Sequence, residues 1–237
     1  MIYKNKKPIF LFLIPAFLFM AVFLYYPFLQ NIINSFMKIR NLGGSARGLN
    51  DPIYKNYLKI LTDENVRMAL KNTVIMIVVT LIGQVGIAIV LAMLVDNIHR
   101  GASFFRIVYF FPIVISATAL GVLFNLIFQY DGGMLSQLVG AKVNWKELYP
   151  LTVMMTPVTW QYVGFYFIIL VTGLNNIPQE LYESAAIDGA TRWQRIRYIS
   201  WPMIHNVVCT CAILAVTGAL KVFDLPWVMF PNWAKHG

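Results

Sequence analysis

Residues 73–95 read TVIMIVVTLIGQVGIAIVLAMLV, a stretch without a single Asp, Glu, Lys or Arg. An α-helix rises about 1.5 Å per residue, so a segment of this length crosses the roughly 30 Å hydrocarbon core of a bilayer. Lipid offers no partners for backbone polar groups, and a segment placed there satisfies its own amides as a helix. The stretch therefore predicts a transmembrane helix.

Four further runs lack charged residues in the same way, at 9–29, 107–128, 150–174 and 203–220. The whole chain is 59% hydrophobic and 12% charged, whereas soluble domains have about 45–50% apolar and about 25% charged residues. So large an apolar surplus needs lipid as its solvent. We predict an all-α, multi-pass transmembrane helical bundle with five spans.

The net charge of +9 does not indicate nucleic-acid binding. The basic residues flank the apolar runs, where they suit anionic lipid, and no basic soluble domain with interleaved aromatics exists. Cys209 and Cys211 lie two positions apart inside the fifth run. On a helix such neighbours point to different sides, so they are interpreted as small apolar thiols rather than metal ligands.

Orientation is suggested by Lys4, Lys6 and Lys7, which favour a cytoplasmic N-terminus under the positive-inside rule. The segment 30–72, which this orientation places outside, is itself rich in Lys and Arg, so charge alone does not settle the topology. Within it, 54–70 mixes apolar and charged residues at helical spacing. We expect this part to lie along the membrane surface.

Residues 177–202, IPQELYESAAIDGATRWQRIRYISWP, separate the fourth and fifth runs. Pro178 suits the first position of a helix, and Gly189 suits the positive φ of a C-cap. We expect Asp188 to cap a second helical piece over 190–200. Trp201 and Pro202 are expected to close that piece before the fifth span, which gives a compact helix–turn–helix at the membrane surface.

The spacing inside this segment resembles the "EAA" loop of binding-protein-dependent ABC-importer permeases, in the form found in sugar permeases. Glu-Ser-Ala is followed at a fixed distance by Asp-Gly-Ala, then by Ile and by Trp-Pro; Ser and Trp replace the Ala and Leu of the family pattern. The matching residues are Glu183, Ser184, Ala185, Asp188, Gly189, Ala190, Ile199 and Pro202. The resemblance implies that 177–202 couples to a separate ATPase, whereas an ordinary capped interfacial hairpin is the alternative.

Other stretches resemble the same family, among them 13–28, 69–73, 131–133 and 223–226. The resemblance implies a first span with an extracytoplasmic segment over 1–68 and a permease domain over 69–237. The family core has six spans, and the likeness fades near residue 231. We expect the chain to be C-terminally incomplete.

The implied function is that of a permease subunit forming half of a translocation path, for a sugar or related carbohydrate, in the bacterial inner (cytoplasmic) membrane. The implied partners are an ATP-binding subunit dimer, a second homologous permease, an extracytoplasmic solute-binding protein and the lipid bilayer. No GxxxxGK[ST] phosphate-binding loop and no paired catalytic groups occur in the sequence. We therefore expect no enzymatic activity and no cofactor, with ATP bound by the partner subunits.

Two other transport functions stay open from the residues. An ion-coupled secondary transporter would not need the loop spacing and usually carries charge inside its spans, which these runs lack. An ABC permease for a non-sugar solute would share every feature above. A membrane-embedded enzyme would need a cluster of titratable groups, and the three histidines (His99, His205 and His236) are scattered.

Polar residues inside spans are costly and mark candidates for the substrate path. Asn125 and Gln161 have aromatic neighbours, Trp160 and Tyr162 among them. Amide hydrogen bonds combined with ring stacking suit a sugar. The alternative is that these amides join helices to one another.

Overall fold

The computed structural model describes residues 7–39, 44, 48–95 and 102–230. The predictions on Lys4, Lys6, His99, His236 and the end of the chain from 231 onward lie outside the described residues. Within the described ranges the chain is helical and has no β-strand; an isolated bridge joins Met37 to Leu49. The predicted all-α, multi-pass architecture is confirmed.

The helices follow one another along the chain, and π-helical turns join three pairs of them end to end. They are α1 Lys7–Met20, α2 Tyr26–Ser35, α3 Lys55–Thr62, α4 Glu64–Val79, α5 Ile87–Val95, α6 Ala102–Val114, α7 Ala117–Ile127, α8 Met134–Val139, α9 Trp145–Leu148, α10 Pro150–Asn175, α11 Gln179–Ile187, α12 Arg192–Arg195, α13 Trp201–Lys221 and α14 Asp224–Met229. The π-helical turns are Ala21–Tyr25, Thr80–Gly86 and Ile196–Ser200.

Four continuous helical segments of the described chain are long and apolar enough to cross a membrane. They are Ile9–Ser35, Glu64–Val95, Pro150–Asn175 and Arg192–Lys221. Each contains one of the charge-free runs, so four of the five predicted spans are confirmed as continuous helices.

The third run, 107–128, is not one helix. Phe104–Val114 and Ala117–Ile127 meet at an angle of 95°. Pro112 lacks an N–H and its ring crowds the preceding turn, which weakens the end of α6. Ser116 then takes an extended conformation, and its Oγ accepts a hydrogen bond from the Ala119 N–H at 3.2 Å as the N-cap of α7. The run was predicted as one helical span; it is helical but broken, and the described chain reaches five spans if this bent pair counts as one.

The chain divides into two compact units, Met1–Leu70 and Lys71–Gly237. In the first unit α3 is fastened to the end of α2. The Asn56 side-chain amide donates to the carbonyl oxygens of Ser35 (2.8 Å) and Met37 (3.1 Å).

In the second unit α10 is the central helix, with α5, α6 and α13 packed around it. Phe167 and Leu170 on α10 are fully buried against α5 and α13. At Gly164 the backbones of α10 and α6 touch, because a Cβ there would lie 1.6 Å from the Tyr109 carbonyl oxygen. Small residues permit this close approach, on which helix association in a bilayer depends. A second cluster forms where α7 meets α10 and α14, around Leu120.

Candidate functional site

The first arm of the predicted coupling loop is α11. It begins one residue later than expected, since Pro178 is the N-cap with ψ 129° and Gln179 is the first helical residue. Its end is a Schellman motif: the Gly189 N–H donates to the Ala186 carbonyl oxygen (3.1 Å) and the Ala190 N–H to the Ala185 carbonyl oxygen (2.9 Å). Gly189 has φ +76°, which confirms the predicted positive φ.

The second arm is capped by Thr191, not by Asp188 as expected. Asp188 is still in helical conformation at the end of α11, so its side chain is not placed at the next N-terminus. Thr191 and Gln194 form a capping box, in which the Thr191 N–H donates to Gln194 Oε1 (2.7 Å) and the Gln194 N–H to Thr191 Oγ1 (3.4 Å).

The second arm also does not close at Trp201 and Pro202. The helix runs unbroken from Arg192 to Lys221, through a π-helical turn over Ile196–Ser200. There the Trp201 N–H bonds to the Ile196 carbonyl oxygen, one residue further back than in an α-helix. The wider turn accommodates Pro202, which has no N–H to offer. The second arm of the loop and the last described span are therefore parts of one continuous helix, Arg192–Lys221.

The two arms are tied together near the membrane end. The hydroxyl oxygens of Tyr182 and Ser200 lie 2.9 Å apart, and Ser200 is buried. On α11, Gln179 Nε2 donates to Glu183 Oε1 at 2.9 Å, and both side chains face the space between the arms. Between the arms lies a cleft of about 420 Å³, which Arg195 also lines.

The predicted coupling residues separate by exposure. Glu183, Ser184, Asp188, Gly189 and Pro202 are exposed, whereas Ala185, Ala190 and Ile199 are half-buried. In the second group, Ile199 packs against the main core cluster. The first group is available to a partner.

The most exposed apolar side chain of the hairpin was not among the predicted site residues. Ile187 is 87% exposed at the last position of α11, and Trp193 is 73% exposed just beyond the turn. Both side chains are therefore candidates for contact with a partner. The signal in the sequence was that Ile187 departs from the apolar face of the helix.

Of the candidate substrate-path residues, Asn125 lies on α7, and Trp160, Gln161 and Tyr162 lie on α10. The Phe124 and Trp160 rings are 5.9 Å apart, which places Trp160 beside α7. Asn125 Oδ1 is buried and has no hydrogen-bond partner among the described residues. Gln161 Nε2 donates to the Ile115 carbonyl oxygen at 3.2 Å, at the break between α6 and α7.

Trp160 and Tyr162 are both exposed, but two residues apart on α10 they point to different sides. The structure thus brings Trp160 close to α7, uses the Gln161 amide to hold the broken helix, and leaves Tyr162 on another face.

At the other end of the bundle, the loop between α7 and α10 contains two lysines in contrasting surroundings. Lys142 Nζ lies 2.8 Å from Asp131 Oδ1, and the hydrogen bond and charge of this carboxylate raise the pKa of Lys142. Burial lowers the pKa of Lys146. Lys146 Nζ donates to the Met229 carbonyl oxygen at 3.4 Å, so it ties α9 to the end of α14.

The family described as "Binding-protein-dependent transport system inner membrane component" matches residues 84–232. The chain belongs to this family. The permease is 30% identical over 240 residues to the probable ABC transporter permease protein YurN of Bacillus subtilis (strain 168), covering 97% of this chain and 80% of that protein. It is 29% identical over 229 residues to the lactose transport system permease protein LacF of Rhizobium radiobacter, covering 90% and 73%.

The fold matches a solved bacterial ABC transporter involved in the import of the acidic polysaccharide alginate, with a TM-score of 0.79 at 19% identity. The match covers 98% of this chain and 85% of that chain. The permease is therefore a multi-pass membrane component of an ABC importer that depends on a binding protein. This confirms the predicted family and rules against the ion-coupled secondary transporter.

Proposed function

We propose that the permease forms half of a translocation path for a sugar or related carbohydrate across the bacterial cytoplasmic membrane. Two observations support the solute class: the relative LacF is a lactose permease by name, and the solved transporter of the same fold imports alginate. The other half of the path is a second homologous permease, and solute arrives from an extracytoplasmic solute-binding protein.

Two ATP-binding subunits supply the energy, and ATP binds to them rather than to this chain, which acts as a permease and not as an enzyme. The single observation that carries this part is the hairpin α11–α12. It presents Ile187 and Trp193 to solvent at one end, and at the other it is continuous with the helix that reaches Lys221.

The mechanism follows from how the hairpin is attached. When the ATPase dimer closes, it displaces the exposed face of α11, where Glu183, Ser184, Asp188 and Gly189 lie. The Tyr182–Ser200 contact keeps the two arms together across the turn at Gly189, so the displacement of α11 also moves the Arg192–Lys221 helix. The half-buried side of the hairpin, with Ala185, Ala190 and Ile199, transmits the same movement to the core.

Co-purification of the ATPase tests the contact. Ile187→Asp places a carboxylate on an almost fully exposed side chain, so the fold is kept while the apolar contact is lost. We expect ATPase recovery to fall at least tenfold.

The matched control is Leu138→Asp on α8, a comparably exposed leucine outside the hairpin. It should leave ATPase recovery unchanged. Equal recovery with both variants would show that the hairpin tip is not the ATPase contact.

The solute path is tested at Trp160, Gln161, Asn125 and Tyr162. With ATPase association intact, Trp160→Ala should raise the concentration of loaded binding protein needed for half-maximal uptake, or abolish uptake, because a stacking surface beside α7 is lost. Oligosaccharides, sugar phosphates and polyols are then compared as competitors of solute uptake, and the compounds that compete identify the solute class. Competition by a non-carbohydrate alone would refute the sugar assignment and leave the importer mechanism standing.

A further inference from the structure

Helix α3, KNYLKILT from Lys55 to Thr62, has two distinct faces. Tyr54, Leu58 and Leu61 recur at helical spacing, and all three are exposed, Leu61 at 75%. Lys55 and Lys59 lie on the opposite side, and the helix contains no carboxylate. An exposed apolar face of this kind needs a cover.

The position of α3 is fixed by the first membrane span. Asn56 bonds to the backbone at Ser35 and Met37, and Ser35 is the last residue of the span-length helix Ile9–Ser35. Asp63 is the single residue between α3 and Glu64, where the span-length helix Glu64–Val95 begins. One helix of eight residues therefore lies, in chain order, between the end of one span-length helix and the start of the next.

Tyr57 lies at one edge of the apolar face, and Asn56 lies beyond it, outside the face. The Tyr57 hydroxyl is 2.6 Å from Ser35 Oγ, and the Tyr57 ring packs 5.5 Å from the Phe36 ring. The side of α3 with Asn56 and Tyr57 thus contacts the end of the first span. The apolar face adjoins that side, and the two lysines lie beyond the apolar face.

We propose that α3 is an interfacial anchor that lies in the membrane surface at the carboxyl end of the first span. Its apolar face, Tyr54, Tyr57, Leu58 and Leu61, enters the boundary between headgroups and acyl chains. Lys55 and Lys59 reach the phosphates of anionic headgroups. This accounts for two of the seven basic residues in 30–72, because a lysine beside an anionic headgroup reports the membrane surface and not the side of the membrane.

A pair of neighbouring residues on opposite faces tests the placement. Cys209 and Cys211, the cysteines of the chain, are first replaced by Ala. Single variants Leu61→Cys and Lys59→Cys, both at exposed positions, are labelled with a maleimide fluorophore in the full permease with its co-purifying subunits. The samples are reconstituted in phosphatidylcholine vesicles with one quarter phosphatidylglycerol.

At position 61 we expect quenching by brominated acyl chains to exceed quenching at 59 several-fold, and quenching by aqueous iodide to show the reverse order. Equal iodide quenching at both positions would place the apolar face in water and overturn the proposal. A label at 61 that neither quencher reaches would mean that a protein covers the face, which overturns it as well.

The lysines are tested separately by the lipid that the purified permease retains. After equilibration with equal amounts of phosphatidylglycerol and phosphatidylcholine, the K55Q/K59Q variant should retain at least twofold less phosphatidylglycerol by mass spectrometry. K142Q is the matched control, since Lys142 is already paired with Asp131. An unchanged lipid ratio in K55Q/K59Q would show that the two lysines do not bind anionic headgroups, and it would contradict their part in the proposed anchor.

Discussion

The hydroxyl groups of Tyr182 and Ser200 lie 2.9 Å apart, one on each arm of the hairpin that connects α10 to the last described span. The two residues are 18 positions apart, and no local pattern links them. Their contact closes the hairpin at its base, so that a force on its tip does not simply open it. In the proposed mechanism this bond keeps the two arms together when the tip is displaced.

Removing one of these hydroxyls should weaken the hairpin. Ser200 is buried, and Tyr182→Phe leaves its hydroxyl without this partner, which costs about 1–3 kcal/mol. Solute uptake should fall while the ATPase stays bound, because the tip surface is untouched. The measurement is a double-mutant cycle of Tyr182→Phe and Ser200→Ala on thermal stability and uptake. Strictly additive effects would show that the two hydroxyls act independently.

Gly189 offers a test of the turn itself. Its φ of +76° strains any residue with a Cβ, yet no atom lies within 4 Å of the place where that Cβ would be. Gly189→Ala should therefore lower the stability of the hairpin by about 1–2 kcal/mol through the backbone alone. Gly189→Asn is the matched control, since Asn tolerates this conformation better. ATPase recovery and uptake should rank Gly, Asn, Ala; a larger loss with Asn than with Ala would contradict the backbone explanation.

Local chemistry made some features predictable. The charge-free runs predicted four continuous spans because a backbone in lipid must satisfy its own hydrogen bonds as a helix. The positive φ of Gly189 was predictable because glycine adopts this conformation, which reverses the chain sharply, without a steric penalty. Other features depend on how one turn meets the next. Pro202 looked like a helix end, but the preceding π-helical turn lets the helix pass through it.

The break between α6 and α7 was missed for a related reason. Hydropathy is continuous across residues 107–128, while the backbone bends by 95° near Ser116. Gln161, from a distant helix, donates to the Ile115 carbonyl oxygen that the bend exposes. A local sequence pattern does not predict a hydrogen bond between residues so far apart in the chain. The role of Gln161 in the solute path remains a prediction.

Lys142 and Lys146 lie in the loop between α7 and α10. The pKa of Lys142 should be higher than that of a free lysine, and the pKa of Lys146 should be lower. The Asp131 carboxylate favours the charged form of Lys142 and raises its pKa, whereas burial disfavours the charged form of Lys146 and lowers its pKa. Competitive labelling with acetic anhydride across alkaline pH measures both in one sample. Lys146 should become reactive at lower pH than Lys142. Asp131→Asn should move the midpoint of Lys142 downward and leave that of Lys146 in place; a shift of both would disprove separate causes.

Glycines at three helix positions form a graded test of packing in the second unit. A Cβ at Gly218 meets nothing within 4 Å, at Gly173 it lies 3.1 Å from the Val207 side chain, and at Gly164 it lies 1.6 Å from the Tyr109 carbonyl oxygen. A side chain can rotate away, but a backbone oxygen moves only with its helix. Gly164→Ala must therefore part α6 from α10 and should cost about 3 kcal/mol or more, with Gly173→Ala intermediate and Gly218→Ala neutral. Thermal stability of the purified permease ranks the three variants. If Gly164→Ala and Gly218→Ala have the same melting temperature, the contact between α6 and α10 is not close enough to hold the bundle together.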